Sequence, residues 1–283
     1  MTPAHPAKDP TMKIAALQMV STPSVERNLA AAAGLIADAA RQGAVLVALP
    51  EYFCLMGAET DKLAFAEPDD GTGRGGPIQA FLSDQARAHR LWIIGGTLPI
   101  REPGHERVRN ACCVYAPDGT RAARYDKLHL FAFDNGRESY DEARVLEPGA
   151  EPVTVVAAGL RTGLSVCYDL RFPELYRAMT FGDTAPLDLI SVPAAFTYTT
   201  GRAHWELLLR ARAVENQCHV IAAAQGGMHE NGRRTWGHSM IVDPWGEVLA
   251  VRAEGEGVVI ADIDAERQRQ VRLQLPALAH RRL

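Results

Sequence analysis

Apolar residues recur along this chain at two spacings, and the switches between them lay out its elements. Residues 13–19 read as a strand, and Ser24 then caps a run in which Val25, Leu29, Ala32 and Ile36 fall on one side of a helix. The short apolar run 45–49 is a strand that stops at Pro50-Glu51. Residues 78–90 are helical in pattern, and 91–97 form a strand closed by Gly95-Gly96. Residues 109–115 and 120–125 pair as a hairpin about Pro117-Asp118-Gly119, a composition that favours a tight turn. The polar stretch 133–149 breaks the periodicity and reads as an active-site loop.

The second half repeats the alternation. Strands are predicted over 153–156, 161–166, 187–192 and 220–224, with helices over 173–179 and 202–216. Residues 238–242, 247–251 and 258–263 read as closing strands, with turns at Asp243-Pro244-Trp245-Gly246 and 255–257. A basic, partly helical tail covers 265–283, and a proline-bearing leader covers 1–11. Strands and helices interleave with no linker or low-complexity segment, so the expectation is one α/β domain over residues 12–283.

Composition narrows the class. Hydrophobic residues make up 47% of 283 positions, ample for a sizeable core. A net charge of −4 offers no basic footprint for nucleic acid or an anionic membrane. No apolar run approaches the roughly 20 residues of a membrane span, and residues 1–11 lack the apolar stretch of a secretory signal. The five cysteines form no CxxC pair and no histidine stands at zinc-ligand spacing. The expectation is a reducing cytoplasm with neither metal nor cofactor. Cys112 and Cys113 lie within a strand and read as buried thiols, as do Cys54 and Cys218, although Cys54 is close to Glu51.

Cys167 differs from the others in position. It ends the run Gly163-Leu164-Ser165-Val166 and precedes a turn that enters a helix at Pro173. A thiol on such a turn is held out of the sheet, with neighbouring N–H groups free to bind a developing oxyanion. Glu51 and Lys127 likewise follow strand-like runs, and strand ends are where α/β sites collect. Taken singly, each has a plain alternative: a solvated loop acid, a surface amine, an inert thiol. Together they suit acyl transfer. A thiolate attacks an amide carbon, a carboxylate moves the protons, and an ammonium stabilises the oxyanion and keeps the thiol pKa low.

Three segments carry a resemblance: Leu49-Pro50-Glu51, Tyr125-Asp126-Lys127-Leu128-His129-Leu130-Phe131, and Cys167-Tyr168-Asp169-Leu170-Arg171-Phe172-Pro173-Glu174-Leu175. In this order they resemble the nitrilase superfamily of carbon–nitrogen hydrolases, across nearly the whole span from residue 12 to about 282. The resemblance implies an αββα sandwich of two mixed sheets flanked by helices, pairing as a homodimer or larger homo-oligomer through helix faces. It implies Glu51 as general base, Lys127 as oxyanion-stabilising lysine, Cys167 as nucleophile and the Tyr168 N–H as second oxyanion donor. Glu142 falls at an additional active-site glutamate. Residues 201–218, 222–226 and 237–246 look most like Nit-type amidases. That implies a small carboxylate-bearing amide as substrate, deaminated glutathione foremost, with the 2-oxo monoamides of an ω-amidase as the alternative.

A carboxylate-bearing substrate needs cations in the pocket. Arg171 is the nearest to the nucleophile in sequence, with a salt bridge at a helix start as its alternative role; Arg202 is a weaker candidate. Thr199 lies in a segment shared with ω-amidases. His204 and His238 suggest a Cys–His dyad, but both sit in segments with structural roles and read as structural. A non-catalytic scaffold would have no need of this acid, amine and thiol.

Overall fold

The computed structural model describes residues 11–136, 139–182 and 185–282. The leader expected over 1–11 lies, up to residue 10, outside the described residues.

Two mixed sheets stack face to face. The first runs in the order Gly257–Ile263, Met12–Gln18, Leu46–Ala48, Trp92–Ile94, Arg109–Tyr115, Leu98–Arg101, Glu67–Pro68, and Arg121–Asp126 also pairs with Arg109–Tyr115. The second runs Val153–Ala157, Leu160–Leu164, Leu189–Ser191, His219–Ala222, Ser239–Val242, Val248–Arg252. Each sheet has three parallel strands at its centre, and helices Val25–Arg41, Pro77–His89, Pro173–Thr180 and Tyr198–Asn216 lie along the connections. This is the expected αββα sandwich.

Side-chain alternation shows why both faces of the first sheet are dry. Ile14, Ala16, Leu46, Ala48, Cys112 and Val114 enter the core shared with Leu164, Ile190 and Ile221 of the second sheet. Their neighbours Ala15, Leu17, Val47, Leu49, Ala111 and Cys113 point the other way, against Ala32 and Ile36 of one helix and Leu82 and Ala86 of another. A strand buried on both sides must be apolar at consecutive positions, which is what residues 46–49 show. Each large aliphatic buried in this way contributes about 1.5–3 kcal/mol.

Three elements depart from the sequence reading, each for a local reason. The strand expected over 91–97 splits into Trp92–Ile94 and Leu98–Arg101. Between them Gly96 takes φ +59, and a Cβ there would run into the carbonyl of Pro50. The helix expected from 202 starts at Tyr198, because the Thr197 side chain caps the N–H of Thr200. The stretch 133–149, expected as a loop, contains the paired strands Ala132–Asp134 and Ser139–Asp141 and a 3-10 turn at Glu142–Arg144.

Candidate active site

The reactive groups stand where parallel strands end. Glu51 follows Leu46–Ala48, Cys167 follows Leu160–Leu164, and Ala195 follows Leu189–Ser191, so both sheets deliver their carboxyl ends to one place. Gln225, beyond His219–Ala222, stitches the two sheets together there. Its side-chain amide donates to the Glu51 carbonyl at 3.1 Å and to Ser21 Oγ at 2.8 Å, and its carbonyl accepts the Ser21 N–H at 3.0 Å. Lys127 arrives on the strand Arg121–Asp126, and Glu142 on the 3-10 turn.

Lys127 is fully buried between two carboxylates. Its Nζ donates to Glu51 Oε1 at 2.9 Å and to both Glu142 oxygens at 3.0 and 2.8 Å. Asn110 Nδ2 adds a bond to Glu51 Oε1 at 2.9 Å, and the Ala195 N–H donates to Glu51 Oε2 at 3.0 Å. Tyr52 Oη at 2.6 Å and the Phe131 N–H at 2.7 Å complete the shell of Glu142. The Cys167 thiol lines the same pocket as Glu51 and lies in the fields of both Glu51 and Lys127.

Burial alone would lower the Lys127 ammonium, but Glu142 and Glu51 outweigh it and hold its pKa well above the usual lysine value. Burial alone would raise the Glu142 carboxyl, yet Lys127 and Lys62 hold it below the usual range. The thiol goes against expectation. Burial and the Glu51 charge push Cys167 well above an ordinary thiol, with Lys127 pulling the other way and losing. The resting sulfur is therefore protonated, beside the carboxylate that can take its proton.

The turn carrying Cys167 is strained and braced. Cys167 sits at φ +49, a left-handed conformation costing a non-glycine residue about 1–3 kcal/mol. Its N–H donates to the Pro193 carbonyl at 2.9 Å. Asp169, wholly buried, receives the Val166 N–H at 2.8 Å and Tyr125 Oη at 2.7 Å, then the His129 N–H at 3.0 Å and His129 Nδ1 at 2.7 Å. One carboxylate thus ties the Cys167 turn to the segment on either side of Lys127. His129 stacks on Phe172, with ring centroids 3.7 Å apart. The N–H of Tyr168, in the first turn of a 3-10 helix, has no intrahelical acceptor.

A pocket opens over these groups, lined by Glu51, Glu142, Cys167, Tyr168, Arg171, Phe131, Ala195, Phe196, Thr197, Thr200 and Arg233. Arg171 is half-buried in it, 3.2 Å from His204 Nδ1 and over the ring of Phe196. Thr199 and Arg202 are exposed and do not line it. Helical spacing explains this: Thr197 and Thr200, three apart, bond each other at 2.8 Å on the inner side, and their neighbours turn outward. Neither His204 nor His238 lines the pocket; His238 stacks on Trp236. The Cys54 thiol bonds the Thr97 carbonyl and is likewise outside it. Sequence reasoning missed Asn110, Asp169 and Arg233. Asp169 lies in the quoted Cys167 segment and was within reach; nothing local marks the other two.

Among the described residues no cluster of His, Cys, Asp and Glu is arranged to hold a metal ion, and no helix is long and apolar enough to cross a membrane.

Comparison with known proteins agrees with the geometry. The family model for carbon-nitrogen hydrolases matches residues 13–273. A deaminated glutathione amidase of Synechocystis sp. is 43% identical over 271 residues, spanning 94% of this chain and 97% of that protein. The omega-amidase NIT2 of Bos taurus is 38% identical over 96% of this chain and 95% of its own. In three dimensions the NitFhit protein of C. elegans superposes with a TM-score of 0.86 at 37% identity, over 98% of this chain and 66% of that one. A sandwich that brings acid, amine and thiol to its strand ends, matched along nearly its whole length, admits one assignment: the chain belongs to the carbon–nitrogen hydrolase family.

Proposed function

We propose that the chain hydrolyses the amide of deaminated glutathione to 2-oxoglutarate and cysteinylglycine through a thioester on Cys167. Glu51 accepts the thiol proton as Sγ attacks the amide carbon. The oxyanion forms against Lys127 Nζ and the Tyr168 N–H. Glu51 returns the proton to the departing amine, leaving the acyl thioester, then deprotonates the water that cleaves it. The second tetrahedral intermediate expels the thiolate, which takes its proton back from Glu51. Glu142 holds Lys127 in place, and Arg171 binds a carboxylate of the acyl half.

The observation that carries this reading is the single carboxylate, Glu51, bonded to a buried ammonium at 2.9 Å and set in the same pocket as a thiol whose proton its charge retains. No histidine is needed for any proton. The second reading, ω-amidase action on 2-oxo monoamides, rests on the comparable similarity to the omega-amidase NIT2 proteins. Steady-state kinetics on deaminated glutathione and a 2-oxo monoamide separate the two. A higher kcat/KM for the monoamide replaces the first reading with the second. Intact-mass detection of an acyl adduct in the wild type, absent in Cys167→Ala, tests the thioester.

We further infer a single hydrolase domain over residues 12–283 that works in the cytoplasm as a homodimer. Leu207 and Val214, one heptad apart on helix Tyr198–Asn216, are both exposed, and Val214 lies against the turn at Gly246. Sedimentation of the purified chain tests the dimer, and substitution of Leu207 by Glu is expected to dissociate it.

A further inference from the structure

Arg233 has no part in the mechanism above, yet it lines the reactive pocket and two clefts outside it. Three covered arginines of this fold are paired with carboxylates, Arg121 and Arg124 with Asp69 and Arg212 with Glu215. Arg233 is different. Its Nη2 donates to the Ala195 carbonyl at 2.8 Å and its guanidinium lies over the Tyr140 ring, but its Nε is buried with no hydrogen-bond partner among the described residues. A covered guanidinium N–H without an acceptor is costly, and here the guanidinium carries no carboxylate among the described residues to offset it. The N–H of the same Ala195 bonds Glu51 at 3.0 Å, so Arg233 and the proposed base grip opposite sides of one residue.

The shape of the cavity gives Arg233 a direction. The reactive pocket is the smaller, with about 280 Å³ of empty space, whereas the adjoining cleft past Phe131 and Glu142 offers about 710 Å³. Arg171 lines only the reactive pocket among these three, on the side of Phe196 and Thr200; Arg233 lines all three. The acyl half of a substrate fills the first, and a bulky leaving group extends into the second. We propose that Arg233 is the specificity residue for the leaving half of the substrate, binding a carboxylate carried by the departing amine, as at the end of a dipeptide. The guanidinium N–H groups not committed to Ala195 supply donors that a carboxylate takes. Across the site, Lys127, Arg171 and Arg233 face Glu51 and Glu142, so an anionic substrate is balanced rather than repelled.

This inference rests on the hydrolase reading above, and its test separates the two. Three amides share one 2-oxo dicarboxylate acyl half. They release ammonia, a dipeptide with a free carboxylate, or the same dipeptide with that carboxylate amidated. In the wild type, amidation is expected to lower kcat/KM by about 10- to 100-fold, the loss of one charge-assisted interaction. Arg233→Gln is expected to lower it by a similar factor for the free-carboxylate amide alone, with Arg233→Lys in between. Indifference of the wild type to amidation overturns the proposal without any variant. An equal loss for all three substrates in Arg233→Gln overturns it too. No hydrolysis of any of the three by the wild type removes the hydrolase reading, and this proposal with it.

Discussion

Replacing Lys127 by Met removes an ammonium from between two buried carboxylates and leaves its volume nearly unchanged. Glu51 and Glu142 then face each other with no compensating charge, at 1% and 7% exposure. Breaking a buried ion pair by deleting one partner costs about 3–5 kcal/mol. The deficit has a signed pH dependence. In the wild type Glu142 is held below its ordinary pKa, so its contribution is present above about 4.5 and fades as pH falls. In the variant the like charges raise the carboxylate pKa instead, so one group keeps a proton near pH 5 and loses it as pH rises. The stability deficit is therefore smallest near pH 5 and largest near pH 8. Urea unfolding at both values, with the slope m checked for constancy, measures it. Adding Glu142→Gln should recover much of the stability and none of the activity, which Lys127→Met lowers by about 10²- to 10³-fold as an oxyanion donor is lost. A deficit under 1 kcal/mol at pH 8, or one that shrinks as pH rises, refutes the reasoning.

Other outcomes follow from single contacts. Asp169→Asn leaves four donors competing for one amide oxygen and loosens the Cys167 turn; a loss of about 2–4 kcal/mol and about 10² in kcat/KM is expected, from urea unfolding and initial rates. An unchanged rate would show that the turn holds without it. Gly96→Ala drives a methyl into the Pro50 carbonyl at φ +59, so its unfolding midpoint should fall well below that of Gly104→Ala, where φ is +81 but the space is open. Equal midpoints would mean that the close approach to the Glu51 turn is not tight. Burial pushes the His219 imidazole down to about 4, so stability should decline as pH falls from 6.5, by about 1.4 kcal/mol per unit until that value. His219→Gln is expected to flatten this decline in urea titrations, and an unaltered slope would exclude His219 as its source.

What could be read from the chain and what could not divide along the range of the interactions. Glu51 and Cys167 follow apolar runs and Lys127 follows a strand-like one, a local mark, and the runs themselves predict most strands to within a residue or two. The doubly buried strand Leu46–Ala48 is legible because the run around it is apolar throughout. Asn110 offered no such mark: it is a polar residue inside a strand, and only the approach of Glu51, from the turn after a strand two places away in the sheet, explains it. Arg233 follows a glycine-rich turn and meets Ala195 only after the chain has crossed the second sheet. The thiol pKa was misjudged because proximity to an ammonium is legible in a motif, whereas depth is not. Thr199 and Arg202 failed for want of a one-residue helical phase, which the Thr197 cap sets.

The protonated state of Cys167 bears on how such a protein ages. Peroxide and alkylating agents consume thiolates far faster than thiols, and a sulfenate that forms in a closed pocket has no second cysteine to rescue it. The remaining four thiols are buried and their pKa values are raised by that burial. A buried sulfur that keeps its proton at rest is a poor target for such reagents, and all five thiols are shielded by the same burial that folds the chain.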